Sequence, residues 1–192
     1  LKIENSVWKL LETMYSLGSI ICLVATLTAC LNVAKGDIEL KETGWSIARE
    51  ESEDRAFYCP RDEVMIGRRH EGDENGDTSY LCALVLLDGS WIGITEDDSW
   101  SNAQPESESS YTCQNGKIMI GRYHVGDENG DTKYLCGSFQ SSIIQLDEKP
   151  WSNSYQESRS SFTCGSNQVM IGRSHDDDEN GPTMYKCAEL FE

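Results

Sequence analysis

Three arginines, three histidines and three acidic pairs recur at fixed spacing in this chain, in the pattern Gly-Arg-x-His-x-x-Asp-Glu-Asn-Gly. They are Arg68, His70, Asp73 and Glu74; Arg122, His124, Asp127 and Glu128; Arg173, His175, Asp178 and Glu179. These three are all the histidines the protein has. The pattern admits three chemistries. The first is structural. A guanidinium withdrawn from water must be paired, and the acids of the same motif, or the recurrent Glu51, Glu106 and Glu157, would pair it. The second is calcium: Asp73, Asn75 and Asp77, and likewise Asp127, Asn129 and Asp131, set oxygens at alternate positions as calcium loops do. However, Gly falls at the fourth place, no bidentate Glu follows at the twelfth, and the third copy carries Pro182 where the last Asp would stand. The third is a transition metal held by three histidines converging on an axis, although trefoil-like repeats are expected to hold equivalent residues far from their axis. The structural lock is the leading expectation. Catalysis needs unlike groups with separated pKa values, and threefold duplication offers like ones. No Gly-x-Ser-x-Gly, phosphate loop or lone reactive cysteine is present, so we read the chain as a non-enzyme with no catalytic residue and no required cofactor, calcium being the leading candidate of the two metals.

The elements that must position these residues are strands. Ile118, Ile120, Arg122 and His124 alternate with Met119, Gly121 and Tyr123; Thr132, Tyr134 and Cys136 alternate in turn. Period-two patterning predicts half-buried strands, with Arg and His on the face of the isoleucines. Asn129-Gly130 between them predicts a tight hairpin turn, both residues tolerating positive φ. Six cysteines form pairs 23 positions apart: Cys59 and Cys82, Cys113 and Cys136, Cys164 and Cys187. With no CxxC knuckle to grip a metal, the pairs read as disulfides made in an oxidising compartment, each stapling its own hairpin to the strand before it. Trp45, Trp100 and Trp151, each followed by Ser, open the copies, and Phe57, Tyr111 and Phe162 stand two before the first cysteine of each. The repeat is therefore about 50 residues long. An exported chain with that period predicts a closed or stacked architecture. The expected fold is all-β: three tandem disulfide-stapled β-hairpin repeats in pseudo-threefold arrangement, β-trefoil or β-prism-like, a sandwich of hairpins being the other option. Arg69, Tyr123 and Ser174 share one repeat position with three residue types, which predicts a solvent-facing site.

The domain reading follows. Residues 1–30 read as a signal peptide or lipoprotein leader: the run from Tyr15 is apolar and ends Leu27-Thr28-Ala29-Cys30, which makes Cys30 a candidate for lipidation. Residues 31–44 read as a tether or first edge strand, and 45–192 as one β domain with repeats 45–99, 100–150 and 151–192. The net charge is −17. It disfavours nucleic acid and anionic membrane surfaces, leaving membrane attachment to the leader or a lipid anchor.

The strings DDSWSNAQPESESSYTCQNGKIMIGRYH and PWSNSYQESRSSFTCGSNQVMIGRSH, followed by Tyr-x-Cys (Tyr80 and Cys82, Tyr134 and Cys136, Tyr185 and Cys187), resemble the repeat of dermatopontin-like proteins. That family's Asp-Arg-x-Trp element is replaced here by Asp-Thr-x-Tyr in two copies and by Asn-Gly-Pro-Thr-x-Tyr in the third. The resemblance implies an extracellular, disulfide-stapled matrix or lectin-like protein that binds glycans and cell surfaces. Repetition with Tyr, Trp and acidic side chains points the same way, because weak sites presented together gain avidity. The expectation is a secreted or cell-surface multivalent module whose partner is a glycan or matrix component. The alternatives are a structural surface protein without a small ligand and a calcium-stabilised repeat protein; an enzyme or toxin component ranks last.

Overall fold

A computed structural model describes residues 36–192 except 54, 74 and 128. The leader, the candidate lipidation at Cys30, Glu74 and Glu128 lie outside the described residues. The first repeat contributes β1 (Ile38–Trp45), β2 (Arg49–Glu50), β3 (Phe57–Tyr58), β4 (Glu63–Glu71), β5 (Asp77–Leu87) and β6 (Ser90–Trp91). The second contributes β7 (Ile94–Glu96), β8 (Gln104–Pro105), β9 (Ser110–Thr112), β10 (Ile118–His124) and β11 (Asp131–Phe139). The third contributes β12 (Gln145–Glu148), β13 (Tyr155–Gln156), β14 (Ser161–Thr163), β15 (Gln168–His175) and β16 (Pro182–Phe191). The fold is all-β, as the alternation predicted. The described residues form three separate, curled antiparallel sheets and not one continuous barrel. Of the two readings of residues 31–44, the described part takes that of a first edge strand: β1 pairs with β5 along its length and matches β7 and β12 of the later repeats.

Each sheet is completed by a strand from another repeat. The sheet orders are β1-β5-β4-β14, β7-β11-β10-β3 and β12-β16-β15-β9. The strand before each first cysteine thus leaves its own repeat. Repeat 1 lends β3 to repeat 2, repeat 2 lends β9 to repeat 3, and repeat 3 lends β14 back to repeat 1. This changes the meaning of the disulfides. The predicted pairs form, 59–82, 113–136 and 164–187, but each joins two neighbouring sheets and not one hairpin to itself. Cys113, for example, donates its N–H to the Ile171 carbonyl of the third sheet at 2.8 Å while bonded to Cys136 in the second.

The strand face of the motif also differs from the expectation. A β-bulge interrupts the register between Met119 and Gly121, and again at the matching sites of β4 and β15. The extra residue, Ile120, shifts the pleat by one. Met119, Arg122 and His124 therefore lie opposite Cys136, Tyr134 and Thr132, and the isoleucines turn to the other face. The core divides accordingly. One cluster is aliphatic, with Val64, Ile118, Val169 and the bulged Ile66, Ile120 and Ile171. The other holds the methionines, tyrosines and disulfides. The bulge is where the lent strand comes closest: a Cβ on Gly121 would stand 2.8 Å from the Phe57 carbonyl, and the same holds at Gly67 and Gly172.

The hairpin turns are wider than a two-residue Asn-Gly turn. Positive φ falls on Gly72, Gly126 and Asp177, not on the Asn-Gly pair. Asp73, Asp127 and Asp178 each accept the N–H of the Asn two residues on, an Asx turn. Gly130 is required for space, since a Cβ there would lie 2.0 Å from the Val125 carbonyl.

Candidate functional site

The recurrent arginines and glutamates meet at the centre. β4, β10 and β15 pack against one another and aim Arg68, Arg122 and Arg173 inward. The partners are Glu51, Glu106 and Glu157, held at the centre by short turns whose N–H groups bond to Gly76, Gly130 and Gly181 of the same repeats. Of the two partner sets the sequence offered, the structure uses these glutamates and not the acids of the motif. Each arginine binds the glutamate of its own repeat and that of the preceding one. Arg68 meets Glu51 and, at 2.6 Å, Glu157. Arg122 meets Glu51 and, at 2.8 Å, Glu106. Arg173 meets Glu106 at 2.6 Å and Glu157 at 2.9 Å. The result is a closed ring of six alternating charges, each side chain at most 8% exposed. The contacts of Arg122 Nη2 and Arg173 Nη2 are close but poorly aligned, so they are ion pairs without being good hydrogen bonds. Tyrosine hydroxyls add partners to the arginines: Tyr185 for Arg68, Tyr80 for Arg122, Tyr134 for Arg173. Phe57, Tyr111 and Phe162 stack on Tyr80, Tyr134 and Tyr185, which explains their spacing from the cysteines.

Beside the ring the three histidines and three glutamates line one cavity of about 30 Å³, with Glu179 also at its wall. The structure therefore corrects the expectation that threefold-equivalent histidines stay apart. His70 Nδ1 lies 2.9 Å from Glu51 Oε2 and 2.7 Å from Thr78 Oγ1. His124 Nδ1 and His175 Nδ1 stand 3.8 Å and 4.0 Å from Glu106 Oε2 and Glu157 Oε2. The calcium candidates gather no such set: Asp73 and Asp127 cap turns, and Asp77 and Asp131 open strands. Among the described residues the one carboxylate–imidazole group compact enough for a metal is Glu51, His70 and Glu157.

Burial and the arginines act on the glutamates in opposite senses. Burial raises their carboxyls, but Arg173 and Arg68 override it and hold Glu157 at about 2. Arg122 and Arg173 hold Glu106 lower still, and Arg122 and Arg68 hold Glu51 well below the usual range. His124 and His175 are depressed by burial and then by Arg122 and Arg173. All these folded-state values lie below the unfolded ones of about 6.5 for His and 4.3 for Glu. The unfolded chain therefore binds more protons in acid, and stability falls with falling pH. We expect the urea midpoint, in 1 M NaCl to screen the acidic surface, to drop first below about pH 6.5 and again between about pH 4.5 and 2. A midpoint constant from pH 7 to pH 4 would contradict these shifts.

Outside the ring, β4 and the loop of Ser158–Ser161 flank an open cleft of about 820 Å³. Arg69, Arg159, Glu71 and Asp77 are among its lining residues, and the Arg69 guanidinium sits 4.8 Å over the Trp45 ring. Neither Arg69 nor Arg159 is ion-paired to a described residue. Position 69 is exposed as its variation between copies predicted, while Tyr123 and Ser174 are half-buried. The repeat-opening tryptophans are not free platforms: Trp100 packs on Tyr58 and Tyr123, and Lys186 covers Trp151. The serine after each tryptophan has a role the sequence did not reveal, its hydroxyl accepting the N–H of Tyr80, Tyr134 or Tyr185 at 3.0 Å.

Fold and site together define a class: a threefold ring of β-sheets that exchange strands, closed by inter-sheet disulfides around a buried ring of charges. Comparison with protein-family models, curated proteins and solved structures finds no match to this chain. Three disulfides fit an oxidising, extracellular setting, and no helix among the described residues is long and apolar enough to cross a membrane.

Proposed function

We propose that this protein is an extracellular binding module for glycans of a cell surface or matrix, with the cleft between repeats 3 and 1 as its principal seat. The observation that carries the reading is a division of labour among the residues. Those that recur in all three copies are consumed in holding the ring. The cleft, though it also touches the recurrent His70 and Ser158, takes its two guanidiniums from positions that differ between copies: Arg69 where the others have Tyr123 and Ser174, and Arg159 where they have Glu53 and Glu108. Two unpaired guanidiniums beside serine hydroxyls and two carboxylates suit a sugar carrying a carboxylate. Guanidinium pairs with carboxylate in a bidentate fork, and the remaining groups take hydroxyls. The net charge of −17 opposes polyanionic chains at long range, but screening confines that field to roughly 8 Å at physiological salt, which favours isolated acidic sugars over densely sulfated ones. The second reading, a structural protein with no small ligand, is favoured by the share of the repeat devoted to the ring and its staples.

A glycan array probed with the folded, oxidised protein decides between them. The expected result is a set of acidic-sugar hits that Arg69→Ala/Arg159→Ala abolishes and EDTA leaves intact. Absence of any hit would sink the glycan reading and leave the structural one standing.

A further inference from the structure

We propose that the free edge of β1 is a homodimer interface. A second copy of this chain lays its own β1 antiparallel to the first and continues the sheet through a two-fold axis at Leu40.

β1 ends its sheet. It pairs with β5 on one side and, among the described residues, with no strand on the other. It runs eight residues, against three in β7 and four in β12. The Asp37 carbonyl accepts the Asp88 N–H at 2.9 Å, so odd-numbered residues face β5 up to the bulge that follows Glu42. Ile38, Leu40 and Glu42 therefore turn their N–H and C=O outward, because backbone groups alternate in direction along a strand. A row of such groups is a template for another strand. In the second sheet the same position is closed: Ile94, the counterpart of Leu40, gives its N–H to Asp62 Oδ1 at 3.0 Å. The counterpart of Asp62 beside β1 is Asn167, whose side-chain nitrogen donates to the Leu190 carbonyl at 2.8 Å instead. Between that turn and β1 lies a groove of about 500 Å³, with Ile38, Leu40 and Glu42 among its lining residues.

The side chains select the occupant. Outward-facing residues can pair only with outward-facing ones, so even-numbered positions of one β1 meet even-numbered positions of the other, and successive registers differ by two residues. With Leu40 on Leu40 of the second copy, Glu39 stands across from Lys41 on both sides of the axis. These are the non-hydrogen-bonded pairs, where side chains come closest and opposite charges attract. Glu39 and Lys41 are both exposed, and neither is ion-paired to a described residue. Sliding the second strand by two residues sets Glu39 on Glu39 in one direction and Lys41 on Lys41 in the other. Charge on an edge strand usually keeps copies apart; on this edge it admits one register and opposes its neighbours. The other repeats lack the pattern, with Gly93 and Thr95 beside β11 and Gln145 and Asp147 in β12. The pairing also sets Leu40 of each copy against the other, covering an aliphatic side chain that the single chain leaves half-buried.

The test is sedimentation velocity of the oxidised protein over a range of concentrations. It is run at physiological ionic strength, where the field of −17 charges per copy is confined to roughly 8 Å. A concentration-dependent dimer is expected, with amide exchange slowed at Ile38, Leu40 and Glu42. Glu39→Lys and Lys41→Glu each turn two attractions into two repulsions, and each is expected to weaken the dimer about tenfold or more. They move the net charge in opposite directions, so a loss common to both reports the pairing and not the overall field. The double variant Glu39→Lys/Lys41→Glu is expected to restore the dimer. A mixture of the two single variants is expected to form a heterodimer, because unlike charges again meet across the axis. A protein that stays monomeric at every concentration, its edge left to a strand of some other protein, would overturn the proposal. So would a dimer indifferent to both single substitutions, since it would use another surface.

Discussion

Arg122→Ala is expected to destabilise the domain by about 3–5 kcal/mol, the loss measured when one partner of a buried ion pair is removed. Arg122 bridges Glu51 and Glu106 and takes the Tyr80 hydroxyl as well. Without it Glu51 keeps Arg68, Glu106 keeps Arg173, and the ring carries one uncompensated negative charge out of reach of water. Against a total stability of about 5–15 kcal/mol for a domain, that is about a fifth or more. With a urea m-value of about 1–3 kcal/mol/M, the midpoint is expected to fall by about 2 M. A shift under about 0.3 M would show that water enters and the ring does not behave as buried. Arg122→Met combined with Glu106→Gln is expected to cost less than the sum of the two, because removing opposite charges together restores neutrality. A coupling of about 1–3 kcal/mol is expected. The effect concerns breaking the ring; relative to well-packed apolar side chains, a complete ion ring contributes little net stability.

The second large effect is covalent. Cys113→Ser/Cys136→Ser opens a loop closed across 23 positions, which by chain entropy is worth about 3 kcal/mol. Because this bridge joins the second sheet to the third, its loss also frees the lent strand β9, whose ladder on β15 is only three residues long. Hydrogen exchange is therefore expected to rise first at the amides of β9 and at Arg173 and His175 of β15, whose N–H groups face it. If protection instead falls within the β10–β11 hairpin and β9 stays protected, the staple acts inside the repeat and the inter-sheet account fails.

The strands, the repeat and the cysteine pairs were legible in the sequence, since each leaves a local mark of alternation, spacing or recurrence, and the glutamate partners of the arginines stood as one of two recurrent acidic sets. Which copy supplies which partner was not legible. Glu51 recurs as Glu106 and Glu157, so pairing within a repeat and pairing around the ring give identical sequence patterns. For the same reason β3 could be assigned to its own hairpin. The bulge hid inside Met119-Ile120-Gly121 because an extra apolar residue does not visibly break an apolar run, and the face of Arg122 and His124 was misread with it. One signal was present. A glycine recurring inside a strand, at 67, 121 and 172, marks a bulge or a close backbone approach, and the structure shows both. The convergence of the histidines depended on closure and had no sequence mark of its own.

Strand lending also fixes how many copies the molecule can have. A solenoid grows or shrinks by whole repeats, because each touches only its neighbours. Here β14 of the last copy completes the sheet of the first, so two copies would leave the circle open and a fourth would have to be let in between existing partners. The circle has no privileged starting point either. Gly36 donates its N–H to the Glu192 carboxylate, so the two ends of the β domain lie side by side. Joining them and cutting at another repeat boundary leaves every sheet, staple and ion pair in place: as a physical object the domain has an order of repeats but no first one.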